Sequence, residues 1–202
     1  MSVTIAEEVI VAIRELEGEI IEIDSLPDNG TSVSCVTLLN KLLNDYNELG
    51  FYIASKNGFM NPEMFKTLGG ANIPLALFTD TEEAPAEIHK IIKNLPAGIK
   101  YVVIDDFYKL VLHKKRGRIR TFLALLRAVS LEKGINILLV NQMRYNGPIS
   151  FNYEGTYRPL YENYLKAYVK LRLEAVRNGS EIELKINSYG SQNKFISLRK
   201  EA

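Results

Sequence analysis

Tyr101-Val102-Val103-Ile104-Asp105 is a nearly continuous apolar run that ends on a carboxylate. A strand with one wet face alternates apolar and polar residues. A run without alternation suits a strand buried on both faces of a parallel sheet. Ile135 to Val140 reads the same way, and a helical pattern from Ile119 to Lys133 lies between the two. Strand, helix and strand in that order imply a right-handed crossover, and their repetition implies a doubly wound α/β sheet.

The same alternation extends toward the N-terminus. Ile5 to Leu16 carries an apolar stripe at helical spacing, and Gly18 ends it. Glu19 to Ile23 reads as a short strand, followed by the polar turn Ser25 to Gly30 and a helix from Ser32 to Glu48 closed by Leu49-Gly50. Phe51 to Ala54 and Pro74 to Phe78 read as strands, and Asn61 to Leu68 and Ala84 to Leu95 as helices. Beyond the second apolar strand the pattern changes. Met143 to Glu162 is a Gly-, Pro- and Tyr-rich loop of a length that is usually functional. Tyr164 to Val176 and Glu181 to Asn187 form a hairpin across Arg177-Asn178-Gly179-Ser180, where Asn-Gly suits a type I′ turn. A last short strand is expected at Phe195 to Leu198. The chain therefore reads as one domain over 1–202, with an N-terminal helix at 1–17, a parallel core at 18–142, a loop at 143–163 and a C-terminal β extension at 164–202.

With 202 residues, 47% of them hydrophobic and 24% charged, the chain is long enough for a sizeable core. A net charge of +1 gives no global electrostatic argument for nucleic acid or membrane, so such an argument must rest on local clusters. One cysteine, Cys35, excludes an intrachain disulfide and suits a reducing compartment. The absence of a signal-peptide pattern or a long apolar stretch leads to the expectation of a soluble, cytoplasmic protein.

Ligands of open α/β sheets bind beyond the carboxyl ends of the strands, so the first strand-turn-helix carries the first candidate site. A working phosphate loop reads G-x-x-x-x-G-K-[ST]: backbone amides cradle phosphate, the lysine reaches the outer phosphates and the hydroxyl holds magnesium. Here Ser25 stands at the first glycine, Gly30 at the second, Thr31 at the lysine and Ser32 at the hydroxyl. Gly30-Thr31-Ser32-Val33-Ser34-Cys35-Val36-Thr37-Leu38 resembles the phosphate-loop helix of the RecA/RadA recombinase family. Phe51 to Phe59 followed by Pro62-Glu63 resembles that family's second strand and its "YIDTEGTF-RPE" motif. Tyr101 to Asp106 looks like a Walker B strand, Leu138 to Gln142 like the "TNQ" strand, and Leu165 to Glu174 like the "RIRLEK" strand. The resemblance runs in order from Gly18 over nearly the whole chain. It implies a RecA-like P-loop NTPase core, in a short RadA-like paralogue without the recombinase's N-terminal DNA-binding domain.

The departures from the pattern matter most. The family's water-activating glutamate falls on Lys56, its neighbouring aspartate on Ala54, and the phosphate-loop lysine on Thr31. Phosphoryl transfer relies on positioning and charge stabilisation, so these losses are expected to remove most turnover. The degenerate nucleotide pocket would comprise Gly30, Thr31, Ser32, Lys56, Asp105 and Gln142. No catalytic residue, resident metal or firmly bound cofactor is expected, and ATP with magnesium would bind weakly if at all. Simpler roles stand beside each residue: a turn glycine at Gly30, a helix cap at Ser32, a cap or lysine partner at Asp105, backbone satisfaction at Gln142 and plain core at Cys35.

Two clusters suit DNA. His113 to Arg120 contains Lys114, Lys115, Arg116, Arg118 and Arg120 without an acid, where recombinases carry their first DNA-binding loop. Such a run neutralises phosphates without reading sequence. The loop after Gln142 interleaves Arg144, Tyr145, Tyr157 and Arg158, which suits base stacking and backbone tracking. The alternatives are a solvated helix start for the first cluster and a covered sheet edge or partner surface for the second. The resemblance implies an accessory of homologous recombination and DNA repair that binds DNA, a RadA-type recombinase, or both. Two other readings are a weak ATPase in which Lys56 replaces the missing lysine, and a scaffold that binds protein only. A monomer, dimer or heteromer is expected rather than a long filament.

Overall fold

The computed structural model describes residues 2–26, 29–57, 59–79, 81–111, 116–146 and 156–187. Eight strands form one sheet: β1 (Ser2–Ile5), β2 (Ile20–Asp24), β3 (Leu49–Ser55), β4 (Leu75–Phe78), β5 (Ile99–Ile104), β6 (Asn136–Val140), β9 (Val169–Asn178) and β10 (Glu181–Asn187). Their order is β1-β10-β9-β2-β6-β5-β3-β4. From β9 to β4 every neighbouring pair is parallel, while β10 runs antiparallel to β9 and β1 lies parallel to β10. A separate two-stranded antiparallel ribbon joins β7 (Met143–Asn146) and β8 (Thr156–Pro159).

The period-two alternation of each central strand divides the core. Tyr101, Val103, Leu138 and Val140 face α1 (Glu7–Arg14), α2 (Thr31–Tyr46) and α3 (Pro62–Thr67). Val102, Ile104, Ile137 and Leu139 face α4 (Ala84–Lys93), α5 (Phe107–Val111), α6 (Arg116–Lys133) and α7 (Glu162–Leu165). Helices on both faces leave no wet side to the central strands, which is why β5 and β6 read as unbroken apolar runs. The protein is thus an α/β, doubly wound, mostly parallel sheet with an antiparallel C-terminal hairpin. No described helix is long and apolar enough to cross a membrane.

Several boundaries differ from the sequence reading, each for a local reason. The N-terminal helix expected over 1–17 begins only at Glu7, because Ser2 to Ile5 is drawn into the sheet beside Glu181 to Leu184. Leu49-Gly50 does not close α2. Asn47 does, in a left-handed conformation at φ 53°, and β3 starts at Leu49. Gly50 instead lets the Leu39 side chain approach closely, since a Cβ there would stand 2.8 Å from Leu39 Cδ1. The expected loop at 143–163 contains β7 and β8, and the β extension expected from 164 begins at Val169, after α7. In the hairpin, Asn178 belongs to β9, so the two-residue turn is Gly179-Ser180. Gly179 alone has positive φ, at 66°, which is the type II′ pattern rather than type I′. The strand expected at Phe195 to Leu198 lies outside the described residues.

Candidate functional site

The carboxyl ends of β2, β5 and β6 meet at the start of α2. Gly30 precedes that helix at φ 77° and ψ 36°, a left-handed conformation that glycine adopts without a Cβ penalty. Gly30 has no side chain to cap the helix, and the first amides of α2 have no intrahelical acceptors. Ser34 closes the turn from inside, its backbone N–H and its Oγ both donating to Gly30 O at 2.9 and 3.1 Å. Ser25 Oγ donates to Leu26 O at 2.8 Å, and Thr31 Oγ1 donates in turn to Ser25 Oγ. The residues standing at the first glycine and the lysine of a phosphate loop therefore tie the two ends of this loop together.

Asp105 follows β5 and is fully buried. Ser32 Oγ donates to its Oδ1 at 2.9 Å, the Asp106 amide to the same oxygen at 2.9 Å, and the Tyr52 hydroxyl to Oδ2 at 2.7 Å. Burial, and secondarily the charge of Asp106, push the Asp105 carboxyl up to about 6, against the opposing effect of these three donors. Asp106 itself has φ 56°, an uncommon conformation for a residue with a side chain, and pairs with Lys109 Nζ at 3.0 Å. Cys35 is buried core, and desolvation holds its thiol above the ordinary range.

A cavity of about 170 Å³ opens beside this group, lined by Gly30, Thr31, Ser32, Asp106, Tyr108 and Gln142 among others, and no lysine or arginine appears in its described lining. Lys56, just after β3, is exposed and outside that lining. Of the expected pocket, Gly30, Thr31, Ser32 and Gln142 come together around the cavity, with Asp105 reaching them through Ser32. Lys56 does not join them.

Magnesium-ATP fits this set poorly. The cavity is smaller than ligand pockets of roughly 300–1,000 Å³, its described walls carry no cation, and the Asp105 carboxylate already accepts three hydrogen bonds. Among the described residues no group of three or more His, Cys, Asp or Glu is arranged to hold a metal ion. Besides the Asp106 carboxylate, which Lys109 pairs, the described lining offers hydroxyls, side-chain amides and the backbone at the start of α2.

The expected DNA contacts are distributed differently. Lys114 and Lys115 lie outside the described residues, and Arg116, Arg118 and Arg120 begin α6. The run that looks free of acids in sequence meets one in space: Arg118 pairs with Glu82 at 2.9 Å, both side chains being exposed. Arg120 lies over the Tyr164 ring at 5.5 Å. In the ribbon, Arg144 stands directly opposite Arg158 and Tyr145 directly opposite Tyr157. Strand alternation puts the two arginine positions on one face and the two tyrosine positions on the other.

Two features escape a reading of the sequence. Tyr52 reads there only as part of a strand, and its hydroxyl is a ligand of the Asp105 carboxylate. Glu22 and Asp24 alternate with Ile21 and Ile23 on β2, a strand buried along its whole length, and that pattern of acids within a core strand is the available signal. Compared with known proteins, the chain matches no family model and no curated protein.

Proposed function

We propose that the chain is a non-hydrolysing, RadA-like relative of the RecA recombinases, acting as a cytoplasmic accessory in homologous recombination by binding DNA, the recombinase, or both. The observation that carries the reading is the pairing in the ribbon, where Arg144 opposes Arg158 and Tyr145 opposes Tyr157. Like charges directly opposite each other on paired strands are unfavourable by a few tenths to about 1 kcal/mol. A polyanion lying across the face that carries both arginine positions would offset that cost, and tyrosine is a residue type on which bases stack. The ribbon springs from the strand that leads into Asn141-Gln142, next to the cavity, as the resemblance implies for a DNA-binding loop.

Loss of hydrolysis rests on separate grounds. Thr31 is engaged with Ser25, Lys56 stands outside the cavity lining, and Asp105 is occupied by Tyr52, Ser32 and the Asp106 amide. Steady-state phosphate release in the presence of magnesium, with and without DNA, is expected to stay at background for the native chain and for Asp105→Asn alike. Turnover in the native chain that disappears in Asp105→Asn would replace this reading with that of a weak ATPase.

A further inference from the structure

Behind the cavity, on the face of the sheet that packs against α6 and α7, lies a buried group of polar side chains with too few partners. Glu22 and Asp24 stand two residues apart on β2 and so share one face. Arg172 of β9 lies opposite Glu22, and Glu174 lies opposite Asp24. Glu22, Asp24 and Asn141 have no exposed surface. Arg172 Nε donates to Asp24 Oδ2 at 2.5 Å, and Asn141 Nδ2 donates both to Glu22 Oε1 at 2.7 Å and to Leu160 O at 2.8 Å. Among the described residues, Glu22 Oε2, Asp24 Oδ1 and Asn141 Oδ1 have no hydrogen-bond partner.

Two unpaired acceptors on adjacent carboxyl groups are reconciled by a single proton. With a proton on Glu22 Oε2, Glu22 becomes a donor instead of a second unpaired acceptor, and the one negative charge left is the one that Arg172 pairs. Two carboxyl groups in one buried site do not both ionise readily. We propose that Glu22 and Asp24 share one proton, and that this proton, by keeping a second negative charge out of the buried site, preserves a latch running from β2 through Asn141 to Leu160 that fixes the floor of the cavity and the foot of the ribbon.

The hydrogen bonds define what the latch holds. Leu160 follows β8, and its amide donates to Gln142 O at 2.7 Å, so Asn141 and Gln142 grip both backbone polar groups of one residue at the ribbon's base. Both residues also line the cavity. The charged surroundings favour retention of the proton. Burial raises Glu22 well above the ordinary carboxyl range and Asp24 adds to it, while Asn141 and Arg172 oppose and Glu162 of α7 adds further. Burial also raises Asp24, to about 6, against Arg172, with Glu174 and Glu162 contributing in the same direction as burial. From α6, Arg120 is directed over Tyr164 of α7. Because the folded state holds the Glu22 proton more tightly than the unfolded chain, the latch is complete below the ordinary glutamate range. It is lost as pH rises through the raised value.

The latch stands whether or not the chain binds DNA. It is tested on the whole chain by carboxyl carbon NMR titration and by amide hydrogen exchange corrected for intrinsic rate. One glutamate signal is expected to titrate well above the ordinary glutamate value of about 4 and to vanish in Glu22→Gln. Protection of the Leu160 amide is expected to fall by about ten-fold or more as pH rises through the titration of that signal in the native chain, and by less than about two-fold over the same range in Glu22→Gln. The proposal is overturned if every glutamate titrates at about 4, or if both chains lose protection equally. The NMR titration needs no variant, so it decides the matter even where Glu22→Gln does not fold.

Discussion

Arg172→Met is expected to destabilise the fold by about 3–5 kcal/mol at neutral pH, because it leaves a buried carboxylate without its partner. Arg172 bridges β9 to β2 through a 2.5 Å contact with Asp24, and neither side chain has appreciable exposure. Methionine fills much of the space, so the loss reports the charge and not a void. The pH dependence separates this from a packing defect. Asp24 already sits at about 6 with Arg172 present, and removal of the guanidinium raises it further. Its proton is then retained by the folded state over a wider range. Stability contributed by that proton is fully present below the ordinary aspartate value of about 4 and is lost as pH rises through the folded value. Urea denaturation should show the deficit of Arg172→Met shrinking as pH falls toward about 4. Adding Asp24→Asn should recover much of it at pH 7, as a double-mutant cycle measures. A deficit under about 1 kcal/mol, or one constant with pH, would show that the pair is not what joins the strands.

Asp105→Asn is expected to act in the opposite direction and to stabilise the chain by up to about 3 kcal/mol above pH 7, the equivalent of raising a carboxyl from 3.8 to about 6. Asparagine retains an oxygen for the Ser32 hydroxyl and the Asp106 amide, and the Tyr52 hydroxyl turns to accept from the new amide. It removes the penalty of ionising a group with no access to water. The sign follows from the raised value. Aspartate contributes its full share below its ordinary value, where it is neutral in both states, and that share is lost as pH rises through about 6. The advantage of asparagine should therefore appear between about pH 4 and about pH 7 and level off above that. Thermal denaturation across this range tests it. A variant less stable than the native chain at pH 8 would mean that the charge itself holds the site together.

Much of the fold is legible in the sequence because it rests on periodicity. The unbroken run at Tyr101 to Ile104 suits only an element covered on both sides, and the helices between strands force crossovers. The boundaries that differ are those set by tertiary contact. Ser2 to Ile5 has no strong local preference, and its pairing partner β10 is nearly the whole chain away. Asn178-Gly179 suits type I′ only when both residues lie inside the loop, and the pairing of Asn178 with Glu181 places asparagine in the strand. At the site, motif order locates Gly30, Ser32, Asp105 and Gln142, since each falls at a strand end or helix start. Charge partners are not legible. Nothing in sequence joins Arg118 to Glu82 or Asp24 to Arg172, which are 36 and 148 residues apart. Nor does sequence show that Lys56, adjacent in motif order, stays out of the cavity it was expected to serve.

Fluorescence anisotropy with labelled single- and double-stranded DNA, at low and moderate salt, with and without ATP and magnesium, tests the central reading most directly. The predicted result is binding that weakens steeply with salt and is indifferent to ATP, because phosphate contacts by Arg144, Arg158 and the basic start of α6 release counterions and no nucleotide controls them. Joint replacement of Arg144 and Arg158 by alanine is predicted to lower the salt slope by about 2. Absence of binding at low salt, or binding that requires magnesium-ATP, would contradict that reading.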